Sequence, residues 1–203
     1  LLKPQLHPST IKNTSLYKRT RQCRNCELAV SRTQVVFGRG TPVCPLWFVG
    51  EAPGADEDKL GFAFVGRAGR LLDLCLNKKN ITEFFITNVV KCRPPDNRDP
   101  TEAEYQACVP LLLSQMVTYK PRVIVAMGRY SIGYFSGFSW EETKKMTVGK
   151  QVGKVRPYLG EDKSLAVMPT YHPAYLLRNA EAAKGFLRQI DRARKLCDRL
   201  TQR

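Results

Sequence analysis

Four of the seven cysteines, one histidine and one asparagine stand where this sequence could do chemistry. Cys23 and Cys26 form a C-x-x-C, a spacing suited to holding a metal or to redox exchange. Cys92 and Cys108 could complete a four-thiolate site, for which zinc and an iron–sulfur cluster are both candidates. Most zinc ribbons carry a second C-x-x-C, and this chain has none. Composition alone reads Cys92 and Cys108 equally well as buried thiols, and it reads Cys44, Cys75 and Cys197 as packing residues. His172 is fixed by Pro173 just after an apolar run, and a neutral imidazole there could donate or accept a proton. His7 lies in a loose N-terminal stretch and reads as inert. Gly50-Glu51-Ala52-Pro53-Gly54 follows another apolar run, and Gly66-Arg67-Ala68-Gly69 opens a helical stretch. Either could bring backbone N–H groups to a ligand, although a tight turn is the plainer reading of each. The nucleotide-hydrolysing P-loop, the G-x-S-x-G elbow and the zinc-deaminase signature are all missing.

These residues need elements to hold them. Residues 15–31 read as a helix, 34–37 as a short strand and 46–49 as a strand buried on both faces. Residues 68–77 have helical spacing, and 84–90 are β-branched and aromatic. Thr101 and Glu104 form a capping box for a helix running to about residue 117. Strands follow at 122–126 and 165–168, with a hairpin or loop across 136–163 and a last helix over 180–201. Strands alternating with helices predict a three-layer αβα fold around a mostly parallel sheet of about four strands. Ligands in such sheets bind at the carboxyl ends of the strands. Here those ends are Gly50-Glu51, Thr87-Asn88, Gly128 and Thr170-Tyr171-His172.

The chain has 203 residues, 33 Lys and Arg against 18 Asp and Glu, and a net charge of +15. The length fits one domain at 15–203, preceded by a flexible basic arm at 1–14. The charge favours a polyanionic partner, nucleic acid first. No apolar run approaches the ~20 residues of a membrane span, and no signal peptide is legible. The expectation is a cytoplasmic monomer with reduced thiols.

Five segments then occur in one order: Cys23-x-x-Cys26, Gly50–Gly54, Phe64-Val-Gly66-x-Ala-Gly69, Thr87-Asn-Val-Val-Lys-Cys-Arg-Pro-Pro95 and His172-Pro-Ala-x-Leu-Leu-Arg-Asn179. Together they resemble the family 4 uracil-DNA glycosylases, the iron–sulfur branch of their superfamily, from about residue 16 to the C-terminus. The resemblance implies flipping of uracil from DNA and hydrolysis of its N-glycosidic bond, leaving an abasic site, by a monofunctional enzyme. It implies that His172 donates to uracil O2 as charge develops and that the Asn88 amide reads O4 and N3–H. Phe64 would stack on the base, and Gly50 and Glu51 would contact it through their backbone. Leu176 or Leu177 would fill the gap in the duplex, and Arg178 would meet phosphate. Cys23, Cys26, Cys92 and Cys108 would hold a structural [4Fe–4S] cluster. Other branches place a carboxylate or amide just after the first glycine of the motif. Ala52 lies in that neighbourhood here, so Glu57 is the candidate for positioning water, with an exposed acidic helix start as the plain alternative. Ala63 replaces a proline common in the family. No basic insert precedes Met168-Pro-Thr-Tyr-His172, which favours hydrolysis over covalent capture by the histidine.

Two other functions fit parts of the sequence. One is a non-catalytic DNA-binding module on the same fold. The other is a metal-dependent nuclease built on Asp56, Glu57 and Asp58.

Overall fold

A computed structural model describes residues 14–202 except 161 and 163. The expected arm at 1–14 therefore lies outside the described residues, save Thr14, which caps α1 (Ser15–Arg21) by accepting the Tyr17 N–H.

Four strands form the centre: β2 (Leu46–Gly50), β3 (Phe85–Asn88), β4 (Val123–Met127) and β6 (Ala166–Thr170). They pair in parallel in the order β3-β2-β4-β6. The expected count of four is corrected to six by two-residue antiparallel edges, β1 (Arg39–Gly40) on β3 and β5 (Arg156–Pro157) on β6. Pairs this short leave little pattern in a sequence, and a proline is tolerated only at such an edge.

Every residue of β2, β3 and β4 is buried, as parallel strands covered on both faces must be. Alternation sorts their side chains. Trp47 and Val49 face one core with Phe85, Ile124 and Ala126, roofed by α1, α2 (Leu28–Ser31), α5 (Glu102–Tyr119) and α6 (Arg129–Ser136). Leu46 and Phe48 face the other with Ile86, Val123 and Val125, roofed by α4 (Arg67–Lys78) and α9 (Ala182–Thr201). The three-layer expectation holds.

Several local expectations change. The helix at 15–31 breaks between Arg21 and Leu28, and Cys23 and Cys26 lie in the break. Residues 34–37 are extended and buried but bond outside a ladder: the Val36 N–H donates to Lys91 O at 2.8 Å, and Phe37 O accepts from Thr87 Oγ1 at 2.9 Å. Gly38, at φ +146°, then turns the chain into β1. The 136–163 stretch contains α7 (Trp140–Lys145), opened by a Ser139–Glu142 capping box, and a 3-10 turn over Val148–Lys150. The Thr101–Glu104 capping box forms as expected. The remaining helices, α3 (Ala55–Leu60) and α8 (Pro173–Leu176), flank the carboxyl ends of the strands.

Candidate active site and cysteine site

The strand ends open onto a cavity of about 520 Å³ lined by Glu51, Glu57, Phe64, Asn88, His172 and Arg178, together with Asn97, Arg98 and Asp99. Six residues expected from sequence thus meet in one place.

Asn88 ends β3 and is 1% exposed. Its Oδ1 is buried with no hydrogen-bond partner. A buried acceptor left unpaired is costly, so this atom invites a donor from whatever fills the cavity. Gly50, which pairs with Asn88 across the ladder, is the residue that lets this happen. A Cβ there would fall 2.5 Å from Asn88 Oδ1 and 2.5 Å from the Phe64 ring.

His172 caps α8. Its Nδ1 accepts the Ala174 N–H at 3.1 Å, which assigns the ring proton to Nε2. Burial pushes its pKa down to about 4, so near neutrality it is an uncharged donor. Gly128, at φ +85°, lies against its Cβ.

Phe64 lies 5.3 Å from the His172 ring, centroid to centroid. Its backbone is left-handed at φ +55°, an uncommon state for a bulky residue that clusters at functional sites. The surroundings enforce it. A Cβ on Gly69 would run into the Phe64 carbonyl, and Gly66 is held by Glu57. Glu57 Oε1 accepts the Gly66 N–H at 2.8 Å and Oε2 accepts the Gly54 N–H at 3.1 Å, so one carboxylate ties the two glycine loops together.

Glu51 is half-buried, and burial with Asp99 nearby raises its pKa to about 7. Asp99 Oδ2 accepts from Tyr130 Oη at 2.8 Å. Arg98 clasps Glu104 through two bonds of 2.8 and 2.6 Å. Asn97 lines the cavity with φ +54°, and its Oδ1 accepts from Arg93 Nε at 2.9 Å. Sequence reasoning missed it. The available signal was Asp96-Asn97, two residue types that tolerate left-handed backbone, just after two prolines.

Leu176 is corrected. It is 4% exposed and packs in the core under α4 and α9, whereas Leu177 is 45% exposed. Arg178 is exposed at the cavity rim. The acidic run disperses: Asp58 accepts from the Thr33 and Gln34 N–H groups, and Glu57 is engaged as above.

Next to Asn88 lies an unusual buried lysine, whose pKa burial lowers to about 7. Lys91 is 0% exposed, and its Nζ donates to Thr87 Oγ1 at 2.7 Å, Asn88 O at 2.7 Å and Gln115 Oε1 at 2.6 Å. Its backbone N–H donates to Cys108 Sγ at 3.1 Å. Arg32 Nη1 donates to Cys92 Sγ at 3.2 Å, and its other nitrogen reaches Cys23 O. Burial raises the pKa values of Cys26, Cys92 and Cys108; the charge of Cys23 adds to it at Cys26, those of Cys26 and Cys23 at Cys92, and those of Cys92 and Cys26 at Cys108. Cys26 and Cys92 thus each act on or feel the other cysteines of the set, with the Arg32 guanidinium and the Lys91 N–H donating to Cys92 and Cys108. That donor set fits an anionic thiolate-bound group. Among the described residues no three metal-ligating side chains converge on a single-ion site.

The cavity thus brings together a buried, unpaired amide oxygen, an uncharged imidazole N–H and an aromatic ring. A family model described as Uracil DNA glycosylase superfamily matches residues 37–194. A type-4 uracil-DNA glycosylase of Thermotoga maritima is 42% identical over 181 residues, 87% of this chain and 90% of the relative. Those of Sulfurisphaera tokodaii and Archaeoglobus fulgidus are 42% and 38% identical, covering 86% of this chain and 80% and 88% of theirs. The chain belongs to the uracil-DNA glycosylase superfamily and, within it, to the type-4 branch.

Proposed function

We propose that the protein excises uracil from DNA by hydrolysing the C1′–N1 bond, releasing free uracil and leaving an abasic site. The observation that carries this is the unpaired Oδ1 of Asn88 facing the same cavity as the Nε2–H of His172. Uracil offers N3–H to that oxygen and O4 to the amide nitrogen. Cytosine presents no donor at N3 and would leave Oδ1 unpaired, the kind of mismatch that discriminates strongly.

As the bond breaks, its electron pair moves onto the uracil ring, and negative charge grows at O2. His172 donates there without carrying a charge of its own, so the donor is in place before the charge forms. Water then adds to the sugar at C1′ and loses a proton to solvent, while the uracil anion takes one up from solvent as it leaves, so that alcohol and neutral uracil result. Glu57 braces Gly54 and Gly66, and with one N–H on each oxygen it keeps lone pairs for that water. Phe64 walls the base. Leu177 takes the wedge role in place of Leu176, and Arg178 takes the phosphate. The domain at 15–203 acts as a cytoplasmic monomer in this reading.

Cys23, Cys26, Cys92 and Cys108 are the ligands we assign to a [4Fe–4S] cluster. When bound it supplies a structural anchor for the α1–α2 break, the loop after β3 and α5, with no step in the reaction. Lys91 carries that anchorage to Asn88 through its bond to the Asn88 carbonyl.

The test is a single-uracil oligonucleotide with wild type and His172→Ala. Free uracil and a strand break only after alkali are expected of wild type. His172→Ala should bind DNA normally and release uracil about 100- to 1000-fold more slowly, as for loss of one oxyanion donor. Unchanged release in the variant refutes the assignment of His172. Binding without release by wild type favours the non-catalytic module.

A further inference from the structure

A second cavity, of about 730 Å³, shares Glu51, Asp99 and His172 with the base cavity and opens on its other side. Its outer walls differ in chemistry. One carries Arg129, at the start of α6, and Lys145, at the end of α7; both are exposed, and neither forms an ion pair among the described residues. The other carries Tyr171 and Tyr175, whose rings stack at 4.6 Å and 19°. Tyr175 is 37% exposed, and its hydroxyl accepts from Asn179 Nδ2 at 2.8 Å, which fixes the ring's direction.

We propose that this cavity holds the nucleotide next to the flipped uridine on the same strand, with its base stacked on Tyr175 and its phosphate between Arg129 and Lys145. The proposal rests on the uracil-excising reading of the first cavity. Three observations support the occupant. The two cavities share a wall, so one step along a strand passes from one to the other. A pinned aromatic face accepts any base, because every base has a π-face. Arg129 and Lys145 put two exposed cations without an ion-pair partner among the described residues on the cavity lining, where the phosphate of that nucleotide can meet them. Both contacts fall on one strand, so the subsite needs no complementary strand to be filled.

The experiment measures equilibrium binding and uracil release on the same samples. Substrates are single-stranded oligonucleotides with one uracil and a tetrahydrofuran abasic analogue replacing the neighbour on the 5′ side, the 3′ side or neither. Proteins are wild type, Tyr175→Ala and Tyr175→Phe, with thermal unfolding as a control for folding. Removing the base on one of the two sides should weaken wild-type binding by roughly tenfold, the scale of one base–aromatic stack. Tyr175→Ala should show that loss with the intact oligonucleotide and no further loss with the analogue, whereas Tyr175→Phe should behave as wild type. Double replacement of Arg129 and Lys145 by Ala should lower the salt dependence of binding. The proposal is overturned if wild type and Tyr175→Ala respond equally to the analogue on both sides, or if neither responds. Failure of the excision reading looks different: wild type would release no uracil, while the binding cycle would still report whether Tyr175 stacks.

Discussion

Gly50→Ala is the smallest change that should disable the site. The added methyl would sit 2.5 Å from both Asn88 Oδ1 and Phe64 Cζ. Ordinary contact needs about 3.5 Å, so each neighbour must retreat by about 1 Å. Neither can retreat freely. Asn88 is anchored through its carbonyl to Lys91 Nζ, and the Phe64 backbone is wedged against Gly69. A misplacement of that size at a positioned group costs on the order of 100-fold in rate. Overpacking should cost about 1–3 kcal/mol of stability, which leaves a folded protein to assay. Single-turnover release of uracil, beside DNA binding and thermal unfolding, separates the two effects. A roughly 100-fold slower release with near-normal affinity for uracil-free DNA is expected. Wild-type release by a folded Gly50→Ala protein would falsify the claim that Asn88 and Phe64 must occupy their present places.

Four further outcomes follow from the same structure. Glu51, raised to about 7 from 4.5, binds its proton more tightly folded than unfolded, so its contribution to stability is full below pH 4.5 and is lost as pH rises to 7. Thermal unfolding across that range should lose this component in Glu51→Gln, and an unchanged profile would show that Glu51 is not the titrating group. His172 shifts the opposite way, to about 4, so its component of stability falls as pH drops from 6.5 toward 4, and single-turnover release should show no inflection from its protonation above about pH 5. Lys91→Met leaves three buried acceptors without their donor and should destabilise by about 1–3 kcal/mol or more, with uracil release falling further than DNA binding; equal losses in both would mean the network is structural alone. Cys92→Ala should lose iron and sulfide and unfold at lower temperature, whereas Cys75→Ala, a packing thiol on α4, should keep both; retained iron in the Cys92 variant would break the ligand set.

The central sheet was readable because parallel strands buried on both faces must be continuously apolar, and 46–49 and 123–126 are. The edges were not, because β1 and β5 pair over two residues each and leave no periodicity. α6 was hidden for a related reason: Tyr130, Ile132, Gly133 and Phe135 are all buried, so no polar face marks it as a helix. At the site, the strand ends pointed to Asn88 and His172, and the family resemblance added Phe64 and the expected roles, but neither could choose between Leu176 and Leu177. That choice depends on which side of a four-residue helix faces α4. Asn97 and Tyr175 escaped because their relevance comes from a left-handed turn and from a ring stacked on a neighbour, neither of which has a spacing signature.

The site's architecture also bears on why its carboxylates are placed as they are. Expelling uracil needs a donor aimed at the leaving group more than a strong base, because the sugar left behind is itself strongly electrophilic. In the proposed reading, three groups meet that demand. The donor, His172, has its tautomer set by a backbone N–H and its charge suppressed by burial. Asn88 has its carbonyl bound to Lys91 while its own oxygen is left unpaired. Glu57 accepts two backbone N–H bonds from the loops that carry Gly54 and Gly66. A carboxylate so engaged is better suited to holding loops and one water in place than to taking protons. The free energy of folding is thus invested in fixing dipoles before the substrate arrives, which is the arrangement that lowers a barrier involving charge separation. The buried Lys91 belongs to the same logic, because its Nζ, bonded to Thr87 Oγ1, the Asn88 carbonyl and Gln115 Oε1, joins the thiol-bearing loop to the asparagine that the proposed reaction uses to read the base.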